Sequence, residues 1–431
     1  MAGAAVGLVF LLLLLVGAPI AIALLGAGVV GVWVGFGSFD LLVIVPQQIF
    51  RSLDSFPFLT IPLFVFVGVL MAEGGIARRL IDCANILIGR QPGGLGATIV
   101  ASAMFFHGIS GSSTADTAAI GRATLPELTR QGYPISFSTA LLAASGATAT
   151  LIPPTIDLIL IGVIANISIA GLFAAGIIPA LINGLGLMSL VIFIAWKNGY
   201  GIKQSKLPWR LKVATVFKAT PAIFMIVIIL GGILTGAFTP TEAAAVAVAY
   251  GLILVLVVYR DLSISQFPRI FVNTIEISGV VFFVIAMGAV IAYAMTILRV
   301  PTALAIAIEA ISPNKYVFLL LVQTLFFVIG MFMDTVPALL ILMPILTPIA
   351  ISYGVEPIHF GILVESNIAL GMATPPVGVC LFAACAVTRL PIEKTIRPLL
   401  PMIAILTTTM LIITYVEGFS MFLPRLMGLT D

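Results

Sequence analysis

Two short stretches, about half the chain apart, carry residues that rarely occur together in so apolar a sequence. The first reads Ala115-Asp116-Thr117, then Pro126, then Pro153-Pro154. The second reads Met333-Asp334-Thr335, then Pro344, then Pro375-Pro376. The aspartate precedes the first proline by ten residues in both copies, and the double proline by 37 in one and 41 in the other. This matched spacing reads as an internal duplication, expected as an inverted repeat, with helices broken at corresponding places. Interrupted apolar segments at matching positions of two halves point to the binding site of a secondary transporter.

The double prolines make a specific demand. Pro153 and Pro154 have no amide hydrogen, so the carbonyls of Ala149 and Thr150, four residues earlier, lose their helical donors. Pro375 and Pro376 do the same to Gly371 and Met372. A bare carbonyl in hydrocarbon is destabilised by several kcal/mol unless a neighbour satisfies it. Freed carbonyls beside the hydroxyls of Thr150 or Thr374 suit a small hard cation. Sodium is the expected ion, because no carboxylate cluster of the calcium type is visible. The competing explanation is a plain proline kink satisfied by a nearby hydroxyl, and two kinks in register weigh against it.

Ahead of the first break stands Ser110-Gly111-Ser112-Ser113-Thr114-Ala115-Asp116-Thr117. Its small residues allow close approach of backbones and its hydroxyls are neutral oxygen ligands, more than helix packing alone requires. An aspartate at mid-membrane costs about 2.5–3.5 kcal/mol on insertion scales, so Asp116 and Asp334 should face a cavity or a partner. Three roles stay open for them: bracing a hairpin tip, lining a hydrated substrate cavity, or carrying a proton. Arg299 closes the apolar run Val280–Leu298 and has two readings of equal weight. It snorkels to the interface, or it clamps a carboxylate bidentately. His107 and His359 read as packing or interfacial residues.

The elements that position these groups follow from composition. Of 431 residues, 61% are hydrophobic and 9% charged, against about 25% charged in a soluble domain. Apolar runs such as Phe56–Met71, Ala219–Leu234, Ala243–Val258 and Leu399–Tyr415 recur. A crossing helix needs about 20 residues, and roughly ten or more crossings fit if broken segments are included. The chain is therefore an all-α polytopic membrane protein. The Leu-rich run Val6–Val16 lacks a basic leader and stays apolar to Phe36, so it reads as a retained membrane span. Three cysteines and two histidines make no disulfide framework or zinc cluster. A net charge of +3 without a basic stripe argues against nucleic acid. No Gly-x-x-x-x-Gly-Lys-Ser/Thr loop is present, so the chain is not itself an ATP-driven motor.

Gly93–Leu128 and Leu319–Ala350 each hold a polar or prolyl interruption and read as re-entrant hairpins, with one kinked span as the alternative. Leu41–Leu59 and Ile76–Arg90 read as amphipathic helices at the interface. The basic segment Lys197–Lys218 belongs in the cytoplasm by the positive-inside rule. It links the halves and is followed by the helices Pro221–Leu234 and Ala243–Tyr259. Thr239-Pro240-Thr241-Glu242 should cap the second of these.

Four motifs then resemble one family: Ser110-Gly-Ser-Ser-Thr-Ala-Asp-Thr-Ala-Ala-Ile-Gly121, Ile152-Pro-Pro-Thr155, Gly236-Ala-Phe-Thr-Pro-Thr-Glu-Ala-Ala-Ala245 and Gly371-Met-Ala-Thr-Pro-Pro-Val-Gly378. In this order, over essentially the whole chain, they are similar to the large membrane subunit of tripartite ATP-independent periplasmic (TRAP) transporters. The resemblance implies a sodium-driven, elevator-type importer in the bacterial inner membrane. It would take an organic acid anion, such as a C4-dicarboxylate or sialic acid, from a periplasmic substrate-binding protein. A separate small four-helix membrane subunit would pack on the scaffold. By position, the resemblance places Ser110, Ser112, Gly146, Ala149 and Pro153 at a first sodium site, with Thr150 beside them. It places Gly330, Gly371, Met372 and Thr374 at a second. Asp116, Asp334 and Arg299 would line the substrate cavity, with Ser110, Ser112 and Thr155 near it. Thr155 stands where relatives often have Ser, which keeps the hydroxyl but leaves substrate identity open.

The implied division is residues 1–91 and 219–311 as scaffold, 92–196 and 312–398 as transport elements, 197–218 as basic linker and 399–431 as a terminal helix. Sodium would order the hairpin tips and complete the anion site. Proton coupling through Asp116 and Asp334 is the alternative. An intramembrane hydrolase using the two aspartates as an acid dyad and a passive channel are further classes. The Gly-x-Gly-Asp of an intramembrane protease is absent, since Met331-Phe-Met-Asp334 and Ser113-Thr-Ala-Asp116 stand there.

Overall fold

The computed structural model describes residues 2–89, 92–201, 208–312 and 314–430; Arg90, Lys203 and Lys206, part of the amphipathic and basic segments above, lie outside these ranges. Among the described residues every regular element is helical. Seven helices are long and apolar enough to cross a membrane, and six shorter apolar ones accompany them. The opening apolar run, expected as a span, is instead two helices, α1 (Ala2–Leu15) and α2 (Ile20–Phe36). Pro19 cannot donate into a continuing helix, Gly17 turns the chain at φ 86°, and α1 packs back on α2. Next come the short amphipathic α3 (Ile44–Leu53), the buried span α4 (Thr60–Glu73) and the amphipathic α5 (Ile76–Ile88).

The first repeat follows. α6 (Gly94–Ser110) ends where Gly111 takes φ 66°, and α7 (Ser113–Arg130) returns along it. In one straight helix, residues nine apart are about 13.5 Å apart along the axis. Here His107 and Asp116 are in contact at 2.8 Å, so the segment is a hairpin and not a kinked span. α8 (Ile135–Ala149) and α9 (Ile156–Ala165) are the halves of a helix broken at Pro153-Pro154, and α10 (Ile169–Asn198) is a long span. α11 (Trp209–Leu234) begins well before Pro221 and takes Arg210, Lys212 and Lys218 into its first turns. α12 (Pro240–Ile253) starts with the expected box: Thr239 Oγ1 accepts the Glu242 amide at 3.3 Å, and Glu242 accepts the Thr239 amide at 2.8 Å. α13 (Phe267–Ile297) and α14 (Val300–Ile311) lead to the second repeat.

That repeat holds α15 (Lys315–Gly330) and α16 (Thr335–Ser352), then α17 (Pro357–Met372) and α18 (Val379–Thr388) around Pro375-Pro376. α19 (Ile392–Tyr415) and α20 (Gly418–Met427) close the chain. The two repeats interlock reciprocally. α6 packs on α8 as α15 packs on α17, while α7 packs on α18 as α16 packs on α9. The returning arm of each hairpin thus rests on the second half of the other repeat's broken helix.

One contact fixes the second hairpin especially tightly. A Cβ added to Gly330 would lie 2.6 Å from the Ile368 carbonyl oxygen, and one added to Gly371 would lie 2.6 Å from the Phe327 carbonyl oxygen. The α15 and α17 backbones touch there, which small residues alone allow. Gly371→Val is therefore expected to destabilise the purified protein by at least about 2 kcal/mol, read as a lower Tm in detergent. Gly231→Ala, with nothing within 4 Å of the new methyl, should leave Tm unchanged or higher. Equal losses in the two variants would contradict this close approach.

Candidate functional site

At the first hairpin tip, Asp116 is fully buried. Its carboxylate takes the His107 Nδ1 at 2.8 Å on one oxygen and the Ser110 hydroxyl on the other. α7 already begins at Ser113, with the Ser112 carbonyl accepting the Asp116 amide at 2.9 Å. Asp116 is thereby wound inward and does not line the cavity between the repeats and α13. Of the three roles open to it, the structure shows bracing. Asp334 does not hold the equivalent place. The second tip, Met331-Phe332-Met333, has no hydroxyl, and α16 starts only after Asp334, which caps it by accepting the Thr335 amide at 2.9 Å. No hydrogen bond joins Asp116 to Asp334, so the shared proton of an acid dyad has no basis.

The two prolyl breaks are built alike, and they correct half of the carbonyl expectation. The Ala149 carbonyl is re-paired by the Ile152 amide at 3.0 Å, and the Gly371 carbonyl by the Thr374 amide at 2.8 Å. Both are tighter three-residue turns inserted ahead of the prolines. The second carbonyl of each break, Thr150 and Met372, receives no hydrogen bond among the described residues. The adjacent hydroxyls donate back into their own helices, Thr150 to Ala147 at 3.1 Å and Thr374 to Leu370 at 2.7 Å. Their oxygen lone pairs remain available. The tips meet the breaks: Gly108 lies against the Pro153 carbonyl, Gly146 lies beneath Thr117, and the Met331 carbonyl accepts the Gly378 amide at 2.9 Å. The first tip thus reaches Pro153 and Gly146 through Gly108 and Ser113, and Gly330 reaches Gly371; no hydrogen bond among the described residues joins Ser110 to Ala149 or Thr150. Two buried carbonyl acceptors without donors fit a small cation better than a metal held by side chains. Among the described residues no group of three His, Cys, Asp or Glu is placed to hold one.

Between the repeats and α13 lies a cavity of about 280 Å³. It is lined by Gly111, Ser112, Ser113 and Thr114 at the start of α7, by Ile156 and Asp157 at the start of α9, and by Asp334 and Val336 at the start of α16. Ile277, Val280 and Val281 of α13 form the apolar wall. Three helix N-termini therefore open on one space. Each carries roughly half a positive charge and first-turn amides without intrahelical partners. Thr155 stands just behind, its hydroxyl accepting the Asp157 and Leu158 amides at 3.1 and 3.4 Å, so it shapes the α9 start without lining the cavity. Arg299 is not brought there. It precedes α14 in a left-handed turn at φ 52°, exposed and outside the cavity lining.

Three residues were missed by sequence reasoning. Asp157 lines the cavity. Glu365 is fully buried in α17 with both carboxylate oxygens unpartnered. Gly361, one turn earlier, packs on Ile161 of α9, and Glu365 lies close enough to Asp157 for the two carboxylates to interact. His107 braces Asp116, whereas His359 is a packing residue, bonded to Ser420 at 2.7 Å.

Residues 7–419 match the family model described as the tripartite ATP-independent periplasmic transporter, DctM component. The chain is 41% identical over 413 residues to an isethionate TRAP transporter permease protein DctMQ of Oleidesulfovibrio alaskensis; the match covers 96% of this chain and 65% of that longer one. It is 37% identical to a C4-dicarboxylate TRAP transporter large permease protein of Pseudomonas aeruginosa, covering 89% of this chain and 90% of the relative. A sialic acid TRAP transporter large permease protein of Vibrio cholerae is 34% identical, with 88% and 89% covered. In fold, the chain is similar to the Alcanivorax borkumensis YdaH transporter crystal structure, with TM-score 0.63, 14% identity, and 89% and 90% covered.

The unequal aspartates give a direct test. Asp116→Ala removes the partner of the buried His107 and the half-buried Ser110 and is expected to destabilise the protein by about 3 kcal/mol, with faster maleimide labelling of Ser112→Cys at the tip. Asp334→Ala removes one helix cap, worth about 1 kcal/mol. Equal losses of Tm would mean that the two residues hold equivalent places after all.

Proposed function

This chain belongs to the DctM-component family of tripartite ATP-independent periplasmic transporters, and on that premise we propose that it imports a small organic anion across the bacterial inner membrane by secondary active transport. The observation that carries this reading is the convergence of three helix starts on one cavity. An anion placed there meets three positive dipole ends, with first-turn amides that no side chain caps at the α7 start and others shared with Thr155 and Asp334. The relatives' names, which include permeases for isethionate, C4-dicarboxylate, sialic acid and 2,3-diketo-L-gulonate, support an acid as substrate. A periplasmic binding protein would deliver it. A small membrane subunit would pack on the scaffold helices.

Sodium is the proposed coupling ion. The Thr150 carbonyl and hydroxyl with Ser110, and the Met372 carbonyl with the Thr374 hydroxyl, would hold one ion at each break, whose charge offsets the unpaired carbonyl dipoles. The chain's own part is to join these breaks to the cavity. Thr155 and Asp157 continue directly from the first break into the α9 start, and the Met331–Gly378 bond ties the second tip to the second break. Coupling requires that the loaded state bind the ion better than the empty one. The interlocked repeats would then move as one body against α13 and the other scaffold helices, in an elevator manner.

The test is uptake into proteoliposomes with the small subunit and binding protein present. An inward sodium gradient is expected to concentrate substrate, and a proton gradient alone should not. Thr374→Val, nearly isosteric, should raise the sodium concentration for half-maximal uptake about tenfold while Tm stays near wild type. Uptake driven by protons alone would sink the sodium proposal, and accumulation no higher than the external level would reduce the protein to a passive path.

A further inference from the structure

The cavity has two chemically opposed walls. One is the set of helix starts at Ser113, Ile156 and Thr335, which favours an anion. The other is acidic. Asp157 is only 8% exposed, lines the cavity, and its carboxylate accepts no hydrogen bond from the described residues. Asp334 gives one oxygen to the Thr335 amide at 2.9 Å and leaves the other to the cavity. Among the described residues no lysine, arginine or histidine lines this space. Two carboxylates therefore present acceptors that the protein does not answer. Asp334 is exposed, but Asp157 is buried, and a buried carboxylate without a donor is strongly unfavourable, so the occupant of the cavity is the natural source of that donor. Val280 and Val281 opposite suit the carbon skeleton between its two ends.

Resting on the uptake function proposed above, we infer that the substrate is a small anion bearing a hydroxyl or ammonium donor close to its acid group, with the acid at the three helix starts and the donor on Asp157 and Asp334. Asp157 is then a specificity-determining residue that selects against plain acids. A site built to bond a polar group rejects the analogue lacking it far more strongly than a pocket senses one methylene. An unsubstituted diacid or alkanesulfonate fills the anion end and leaves both carboxylates unanswered.

Two matched probe sets test this: succinate, malate and aspartate, then ethanesulfonate, 2-hydroxyethanesulfonate and 2-aminoethanesulfonate. Apparent Kd is read from thermal stabilisation of the large-and-small-subunit complex in nanodiscs at fixed sodium. In at least one set a donor-bearing member should bind about tenfold or more tightly than the plain acid. Asp157→Asn and Asp157→Ala should compress that ratio to about threefold or less, in part by tightening the plain acid, which no longer faces an unanswered carboxylate; the isosteric Asn variant covers a poorly folding Ala variant. Equal binding of plain and substituted acids by wild type overturns the inference. So does failure of all six probes to bind, or a variant that loses sodium dependence of Tm but keeps the donor preference, which would give Asp157 to the cation. Sodium-driven uptake measured in parallel separates the two levels. Transport of plain acids as well as substituted ones would leave the uptake function standing with the inference lost, whereas no sodium-driven uptake of whatever the binding protein delivers would remove the function itself.

Discussion

Inside a membrane a main-chain amide or carbonyl has no water to turn to, and this constraint organises the whole molecule. Each interrupted helix leaves acceptors at the end of its first half and donors at the start of its second. The acceptors are treated identically in both repeats: one carbonyl is recaptured by a tighter turn and the next, Thr150 or Met372, is left over. The donors at the starts of α7, α9 and α16 open on a common cavity. On the proposed function, such a break would offer a place for a cation and, at the α9 start a few residues on, part of a place for an anion.

Reciprocal packing makes these places one unit. α7 rests on α18 and α16 on α9, so each hairpin is supported by the other repeat. A ligand in the cavity touches α7 and α9 from the first repeat and α16 from the second, and α13 contributes only aliphatic side chains. The contact of Gly330 with Gly371 draws α15 onto α17 closely enough for the second tip to reach the second break. The likeness in fold to the YdaH transporter structure agrees with the all-helical architecture.

Much of this was legible in the residue order. The hairpins, both prolyl breaks and the Thr239–Glu242 box could be read from spacing and from the properties of proline and small residues. Asp157 could not easily be read, because one aspartate two residues after Thr155 looks like an ordinary first-turn acid. Glu365 gave no pattern at all. His107 did carry a usable signal: it and Asp116 are equally far from the Gly111–Ser112 break, so antiparallel arms must bring them face to face. Arg299 misled because a cation ending an apolar run is equally compatible with an interface and a cavity. Asp116 and Asp334 misled because equal spacing from Pro126 and Pro344 hid a shift in where the following helix begins.

The order of residues by itself determined where helices stop and which carbonyls lose their donors, since proline lacks an amide hydrogen in any surroundings. It also determined that the chain is helical and membrane-embedded, since its apolar content leaves few other ways to satisfy the backbone. Only the tertiary structure decided which helix ends meet, which aspartate is braced and which is open, and which of the freed carbonyls finds a new donor. Those outcomes depend on contacts between segments from opposite halves of the chain, and local chemistry carries no record of distances across a fold.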